Sequence, residues 1–133
     1  MKELSKFRIE GKCPSYNMSF KVNYSTRSMY LTKTAHDFKR NVKLNMPTIK
    51  VKEDGFLLIH IQVMQNWYYK NGNLKKQDVQ NMDKLYIDAL CDGIGIDDCH
   101  VQSSNVEKIQ YMGDPFSLVT IYSTDTLPEY KGE

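Results

Sequence analysis

The sequence lacks several features that define whole classes of protein. No apolar run approaches the roughly 20 residues that cross a bilayer, so no membrane span is predicted. The first ten residues contain no apolar stretch of the signal-peptide kind. The three cysteines are odd in number and widely spaced, which predicts reduced thiols and a cytoplasmic protein.

Common metal and cofactor patterns are also missing. Cys91, Cys99 and His100 have no spacing typical of a zinc site, and residues 92–98 lack the alternating oxygen ligands of a calcium loop. No small-molecule cofactor is predicted. No repeat, low-complexity tract or linker divides the chain, so residues 1–133 are expected to form one domain with an ordered core at roughly 5–124.

Charge is distributed very unevenly along the chain. Residues 1–76 carry fifteen Lys/Arg and five Asp/Glu, whereas residues 77–133 carry three and eleven, although the whole chain has a net charge of only +2. This asymmetry indicates a basic surface for a polyanion and a separate acidic cluster. The alternative is that the two halves interleave in the fold and their charges cancel.

Hydrophobic periodicity predicts a small α/β (α+β) domain. Strands are expected at 5–10, 56–64, near 101–110 and at 116–123, with residues 11–31 forming one long loop. Helices are expected at 34–45, capped by Thr34, and at 79–91, ended by Gly93 and Gly95. The order β-α-β-α-β-β predicts two main helices packed on one mixed sheet.

Carboxylates flank the second predicted helix. Asp78 stands at its start, and the Asp97–Asp98 pair follows the glycine turn at its end. If the turn returns the chain along the polar side of the helix, these carboxylates would converge and repel unless a hard cation lay between them. Mg²⁺ suits such oxygen ligands, and Lys84, on the same helix, would steady a substrate phosphate.

Each of these residues also has a purely structural explanation. Asp78 is a good helix N-cap, which accounts for it without a metal. The Asp97–Asp98 pair is equally compatible with a solvated turn, and Lys84 with an ordinary surface lysine. The residues alone leave both interpretations open.

The same segments resemble the RusA family of Holliday-junction resolvases, the crossover-junction endodeoxyribonucleases common in phages and prophages. The family pattern is Asp-x-Asp-Asn-x-x-Lys at a helix start, Asp-Ala-Leu near its end, and Asp-Asp before a strand. This chain has Asp78-Val-Gln-Asn-Met-Asp-Lys84, then Asp88-Ala-Leu90, then Asp97-Asp98, and upstream Cys13-Pro-Ser-Tyr-Asn17 and Leu31-Thr32 before Phe38-Lys39. The likeness spans roughly residues 7–123.

This resemblance implies a homodimer that binds branched DNA and resolves four-way junctions with Mg²⁺, or Mn²⁺ in its place, during recombination and repair. It implies a bacterial host cytoplasm as the location. Asp78, Asp97 and Asp98 are implied as metal-binding carboxylates, with Asp78 and Asp98 catalytic. Lys84 matches the family's functional lysine and Asn81 the adjacent asparagine.

One position departs from the family pattern. Gln80 stands where the second acidic residue of the Asp-x-Asp run is expected. A glutamine oxygen can bind Mg²⁺ but brings no charge, so metal affinity should fall and the pKa of a bound water should rise. Asp83, three residues further, lies on a neighbouring face of the helix. An alternative function is therefore a dimeric module that binds junctions but cleaves them weakly or not at all.

Two further segments are candidates for DNA contact. Residues 16–30 interleave aromatic and basic side chains, among them Lys21 and Arg27, a composition typical of surfaces that bind unpaired bases. Asn17 belongs to the same region through the family-like segment. Lys70, Lys75 and Lys76 are candidates for phosphate contacts. The alternatives are a loop packed by its own tyrosines and a set of solvated lysines.

Overall fold

The computed structural model describes residues 1–14, 20–23, 25 and 28–132, with the backbone alone for 20–23 and 28–31. These residues form six strands and two α-helices. The strands are β1 (Lys2–Glu10), β2 (Phe20–Asn23), β3 (Ser28–Leu31), β4 (Phe56–Gln65), β5 (Val101–Gln110) and β6 (Phe116–Thr124), and the helices are α1 (Lys33–Asn45) and α2 (Val79–Ile94). No helix among the described residues is long and apolar enough to cross a membrane.

Four of the strands form a mixed sheet in the order β1-β6-β4-β5. β4 and β5 are parallel, whereas the other neighbouring pairs are antiparallel. A parallel pair needs a crossover between its strands, and α2 provides it. The predicted fold class is confirmed: one small α+β domain with a mixed sheet and two helices.

Alternation along β4 places its apolar residues in the core. Leu57, Ile59, Ile61 and Val63 are buried, whereas His60 and Gln62 between them are partly exposed on the other face. Because side chains alternate across a strand, a single register decides which residues the helices cover. β1 begins at Lys2 rather than at residue 5, because its pairing with β6 continues to Ser123.

Helix α1 begins at Lys33, one residue earlier than predicted. Its N-cap is Thr32, whose side-chain oxygen accepts a hydrogen bond from the backbone N–H of Ala35, so the prediction of Thr34 as the cap was wrong. Both threonines are good capping residues, and the extended end of β3 at Leu31 decides between them. The apolar face was predicted correctly, since Ala35, Phe38 and Val42 are buried.

Helix α2 has the predicted start and a later end. Asp78 is its N-cap, and Gly95 closes it in the left-handed conformation with φ 87°. Gly93 lies inside the helix rather than ending it. A packing contact explains the glycine, since its missing Cβ leaves space for the Met46 methyl group. The buried stripe of α2 is the predicted one: Met82, Leu85, Tyr86, Ala89 and Leu90.

The segment predicted as one long loop, residues 11–31, contains a hairpin. β2 and β3 pair antiparallel, with Phe20 opposite Leu31 and Asn23 opposite Ser28. At four residues each, these strands are too short to give a clear periodic pattern and depend on pairing with each other, so the sequence pattern did not predict them. Asn17 and Arg27 lie outside the described residues, as does the side chain of Lys21.

Candidate active site and nucleic-acid interface

Asp78 is held at the N-terminus of α2 by its own capping interaction. Its Oδ1 accepts a hydrogen bond of 2.7 Å from the backbone N–H of Gln80. The side chains of Asp78, Gln80 and Asn81 are exposed. A carboxylate has about four acceptor positions, so the cap leaves capacity for a cation at the same residue.

A network of amide side chains lies beneath the Asp78 cap. Gln65, buried at the end of β4, donates from Nε2 to Oε1 of Gln77 at 3.4 Å. Gln77 in turn donates to the backbone carbonyls of Cys13 and Pro14, at 3.4 and 3.5 Å. This network connects the residue before the cap to the sheet and to the segment that precedes β2.

Lysines surround Asp78. A surface cleft of about 500 Å³, here called the Asp78 cleft, is lined by Leu74, Lys75, Lys76, Gln77, Asp78 and Lys108. Lys75 Nζ lies 5.7 Å from the Tyr69 ring centroid, and Lys108 Nζ lies 4.9 Å from that of Trp67. The three lysines in the lining give the cleft positive charge, which favours a ligand with negative charge.

Two of the three lysines in the cleft, Lys75 and Lys76, were predicted as phosphate contacts, whereas Lys108 was not. Lys108 lies in β5, about thirty residues further along the chain, and reaches Trp67 only because β4 and β5 pair in parallel. Lys70 is exposed in the turn at 70–71 and does not line the cleft.

The other end of α2 carries the paired carboxylates. Asp97 caps a short 3-10 helix at Asp98–His100, and its Oδ1 accepts a hydrogen bond of 2.9 Å from the Cys99 backbone N–H. That hydrogen bond is the main reason that the pKa of Asp97 is below its ordinary value. Both Asp97 and Asp98 are exposed.

Asp98 lies near the last turns of α2. Burial raises the pKa of Asp88; the charges of Lys39 and Lys84 oppose that shift and the charge of Asp98 reinforces it. Burial raises the pKa of Cys91 to about 11. The negative charges of Asp98, Asp88 and Asp97 raise it further, and Asp98 has the largest effect of the three. The C-terminal half of α2 therefore forms a mixed charged cluster with the Asp97–Asp98 turn.

The predicted convergence of Asp78 with Asp97 and Asp98 is not found within one chain. α2 has 16 residues, and at 1.5 Å per residue it separates its two ends by about 24 Å. After the glycine turn the chain joins the sheet rather than returning along the helix: His100 Nδ1 lies 3.0 Å from the Gly55 carbonyl oxygen, and β5 starts at Val101. Among the described residues, no three His, Cys, Asp or Glu side chains are grouped to hold a metal ion.

Asp83 does not take the place of the carboxylate that is missing at Gln80. Ser104 in β5 donates a hydrogen bond of 2.8 Å to its Oδ2. Its Oδ1 is buried, with no hydrogen-bond partner among the described residues. Asp83 therefore faces the sheet, whereas Gln80 is exposed.

An α+β domain that presents exposed carboxylates beside clustered lysines has the features of a small nuclease. The family model for Endodeoxyribonuclease RusA matches residues 12–122, most of the chain, and the protein belongs to that family. It is therefore an endodeoxyribonuclease of the class that resolves Holliday junctions. No curated protein matches the chain.

Proposed function

We propose that the protein resolves four-way DNA junctions by paired, Mg²⁺-dependent hydrolysis of phosphodiester bonds, in DNA recombination and repair. The observation that carries this proposal is Asp78, exposed at a helix N-terminus inside a cleft with three lysines. A helix N-terminus favours anions, and lysines bind phosphates, so this cleft favours the binding of a DNA strand.

The site is proposed to be completed by a homodimer. One chain keeps Asp78 and the Asp97–Asp98 pair at opposite ends of α2, so its donors do not fit a single cation. In a two-fold pair each surface contacts its own copy, and two α2 helices packed antiparallel would place Asp78 of each chain beside Asp97–Asp98 of the other. The exposed side chains of Gln80, Asn81 and Lys84 are compatible with α2 lying at such an interface.

The donors brought together in this way have the chemistry that Mg²⁺ requires. Asp78, Asp97, Asp98 and Gln80 offer only oxygen atoms, the ligands of hard cations, and Mn²⁺ would serve as a substitute. Bound Mg²⁺ would supply electrostatic stabilisation of charge on the phosphate and a water of lowered pKa. Lys84 would place its positive charge near the phosphate, and Asn81, Lys70, Lys75 and Lys76 would contact the backbone.

A second candidate function is a dimer that binds junctions but cleaves them slowly. The observation that favours it is the pair Gln80 and Asp83: the first is neutral, and the second faces β5 and bonds to Ser104. The site then holds one carboxylate fewer than the family pattern, which weakens a divalent cation's binding.

A labelled four-way junction separates the two candidates. The protein is incubated with the junction with and without Mg²⁺ or Mn²⁺, beside Asp78→Asn and Gln80→Asp. Metal-dependent paired nicks that disappear in Asp78→Asn support the resolvase. Binding without nicks, with cleavage appearing in Gln80→Asp, supports the binding module. A chain that binds no junction at low salt contradicts both.

A further inference from the structure

A second basic groove lies at the other end of the sheet from the Asp78 cleft. It has a volume of about 580 Å³ and is formed where β1 and β4 begin and β6 ends; it is here called the Lys50–Lys52 groove. Its lining consists of Met1, Lys2, Leu4, Lys50, Val51, Lys52, Gly55, Phe56, Ser123, Thr124, Asp125 and Thr126.

This groove adjoins the turn that carries Asp97 and Asp98. The carbonyl oxygen of Gly55, in the groove wall, accepts a hydrogen bond of 3.0 Å from His100 Nδ1, so that ring nitrogen carries the proton. The ring centroids of Phe56 and His100 lie 6.4 Å apart. His100 is the last residue of the short 3-10 helix that begins at Asp98 and is capped by Asp97. One short helix therefore carries the acidic pair at its start and contacts the groove wall at its end.

The charge of the lining favours an anion. Lys2, Lys50 and Lys52 contribute three positive charges, and Asp125 is the one acidic residue in the lining. Lys52 Nζ lies 3.3 Å from Asp125 Oδ1, with both side chains largely exposed. An exposed ion pair of this kind contributes little stability, so a phosphate can replace Asp125 as the partner of Lys52. Glu53 and Asp54 occupy the following turn, outside the lining.

We infer that the Lys50–Lys52 groove binds backbone phosphates of a DNA arm beside the Asp97–Asp98 turn. The inference rests on the proposed function and extends it, because none of these lysines belongs to the Asp78 cleft. In the proposed dimer, the Asp78 cleft of one chain and this groove of the other border the same site. The two basic surfaces then contact the strand on either side of the bond to be cut.

The test measures binding of a four-way junction by fluorescence anisotropy in EDTA, over a range of salt concentrations. The test variant is Lys50→Gln/Lys52→Gln. The matched control is Lys43→Gln/Lys131→Gln, which removes the same charge from exposed positions outside the groove. Two lost phosphate contacts should weaken binding about tenfold and reduce the salt slope by about 2. Asp125→Asn should tighten binding about twofold, because it removes the competing partner of Lys52.

Three outcomes overturn the inference. A groove variant whose Kd and salt slope equal those of the control contradicts it while leaving the proposed function intact. An unchanged affinity with a shifted elution volume in size-exclusion chromatography would assign the groove to contact between copies of the chain instead. A wild-type protein that binds no junction contradicts the proposed function and this inference together.

Discussion

The two ends of α2 carry acidic residues under opposite electrostatic conditions. At the N-terminus, Asp78 is the cap and faces the positive end of the helix dipole, with lysines around it. At the C-terminus, Asp97 and Asp98 stand near the negative end, and the last turn of α2 has no basic residue. The first end has positive charge beside its carboxylate, whereas at the second Asp97 is stabilised mainly by its hydrogen bond from the Cys99 backbone N–H.

The two ends also differ in how they are assembled. The Asp78 cleft is built mainly from the five residues directly before α2, Leu74–Asp78, with Lys108 as the distant contribution. The Asp98 end depends on contacts from far along the chain, since the Gly55 carbonyl and Phe56 position His100. Among the described residues, neither end groups three His, Cys, Asp or Glu side chains that could hold a metal ion.

Mixing two inactive variants tests whether the ends function together across a dimer. Asp78→Asn and Asp98→Asn should each reduce junction cleavage by at least about 100-fold, because each removes a ligand from both sites. Mixed dimers of the two variants should regain nicking, since one of their sites contains Asp78 from one chain and Asp98 from the other. Cleavage is followed on a denaturing gel after subunit exchange.

The control for this mixture is each variant alone at the same total concentration. A site contained within one chain would leave every mixed dimer inactive, because each chain still carries a defect. A mixture with no activity above that of the separate variants would therefore rule out the shared site.

Restoring the acidic residue at position 80 tests how incomplete the Asp78 end is. Gln80→Asp should raise the cleavage rate about tenfold at limiting Mg²⁺, because the added carboxylate strengthens divalent cation binding. The rate is measured as a function of Mg²⁺ concentration. Asn105→Asp, the same change of amide to carboxylate at an exposed residue of β5, is the matched control and should not reproduce the gain.

Lys108 tests whether the distant wall of the Asp78 cleft contacts DNA. Lys108→Gln should reduce the slope of log affinity against log salt by about 1, which corresponds to one lost phosphate contact. Lys131→Gln, in the C-terminal segment, carries the same charge change and should leave the slope unchanged. Equal slopes in the two variants would remove Lys108 from the interface.

The buried thiol beneath the Asp78 end predicts a dependence of stability on pH. Burial raises the pKa of Cys13 from an ordinary value of 9.0 to about 12, so the folded chain keeps a proton that the unfolded chain loses. The free energy of unfolding should therefore be unaffected by this group below about pH 9 and decrease as pH rises toward 12. The slope from this group is at most about 1.4 kcal/mol per pH unit.

Urea unfolding at several values from pH 8 to 11 measures this effect. Cys13→Ala should flatten the decrease, although buried Tyr86, whose pKa burial also raises, contributes in the same direction. Cys99→Ala removes an exposed thiol and is the control. A slope that is identical in Cys13→Ala and wild type would contradict the assignment.

Local patterns were sufficient for much of the fold. The alternation of β4, the buried stripe of α2 and the Asp78 cap were all predicted, because each depends on residues within one element. The hairpin of β2 and β3 was missed because its strands are short and are stabilised by each other. The cap of α1 was misplaced by two residues because Thr32 and Thr34 are equivalent until the end of β3 is known.

The candidate site likewise has a part that local sequence predicts and a part that depends on tertiary structure. The sequence by itself proposed Asp78, Lys84 and the Asp97–Asp98 pair as site residues, because carboxylates and a lysine at these spacings resemble the family pattern. Only the tertiary structure decided where they stand relative to one another: an unbroken helix of 16 residues holds the ends apart, and Gly93 lies inside it rather than ending it. The distance between two residues depends on the elements that lie between them. Here the length of α2 separates Asp78 from the Asp97–Asp98 pair, although the family pattern lists them as one motif.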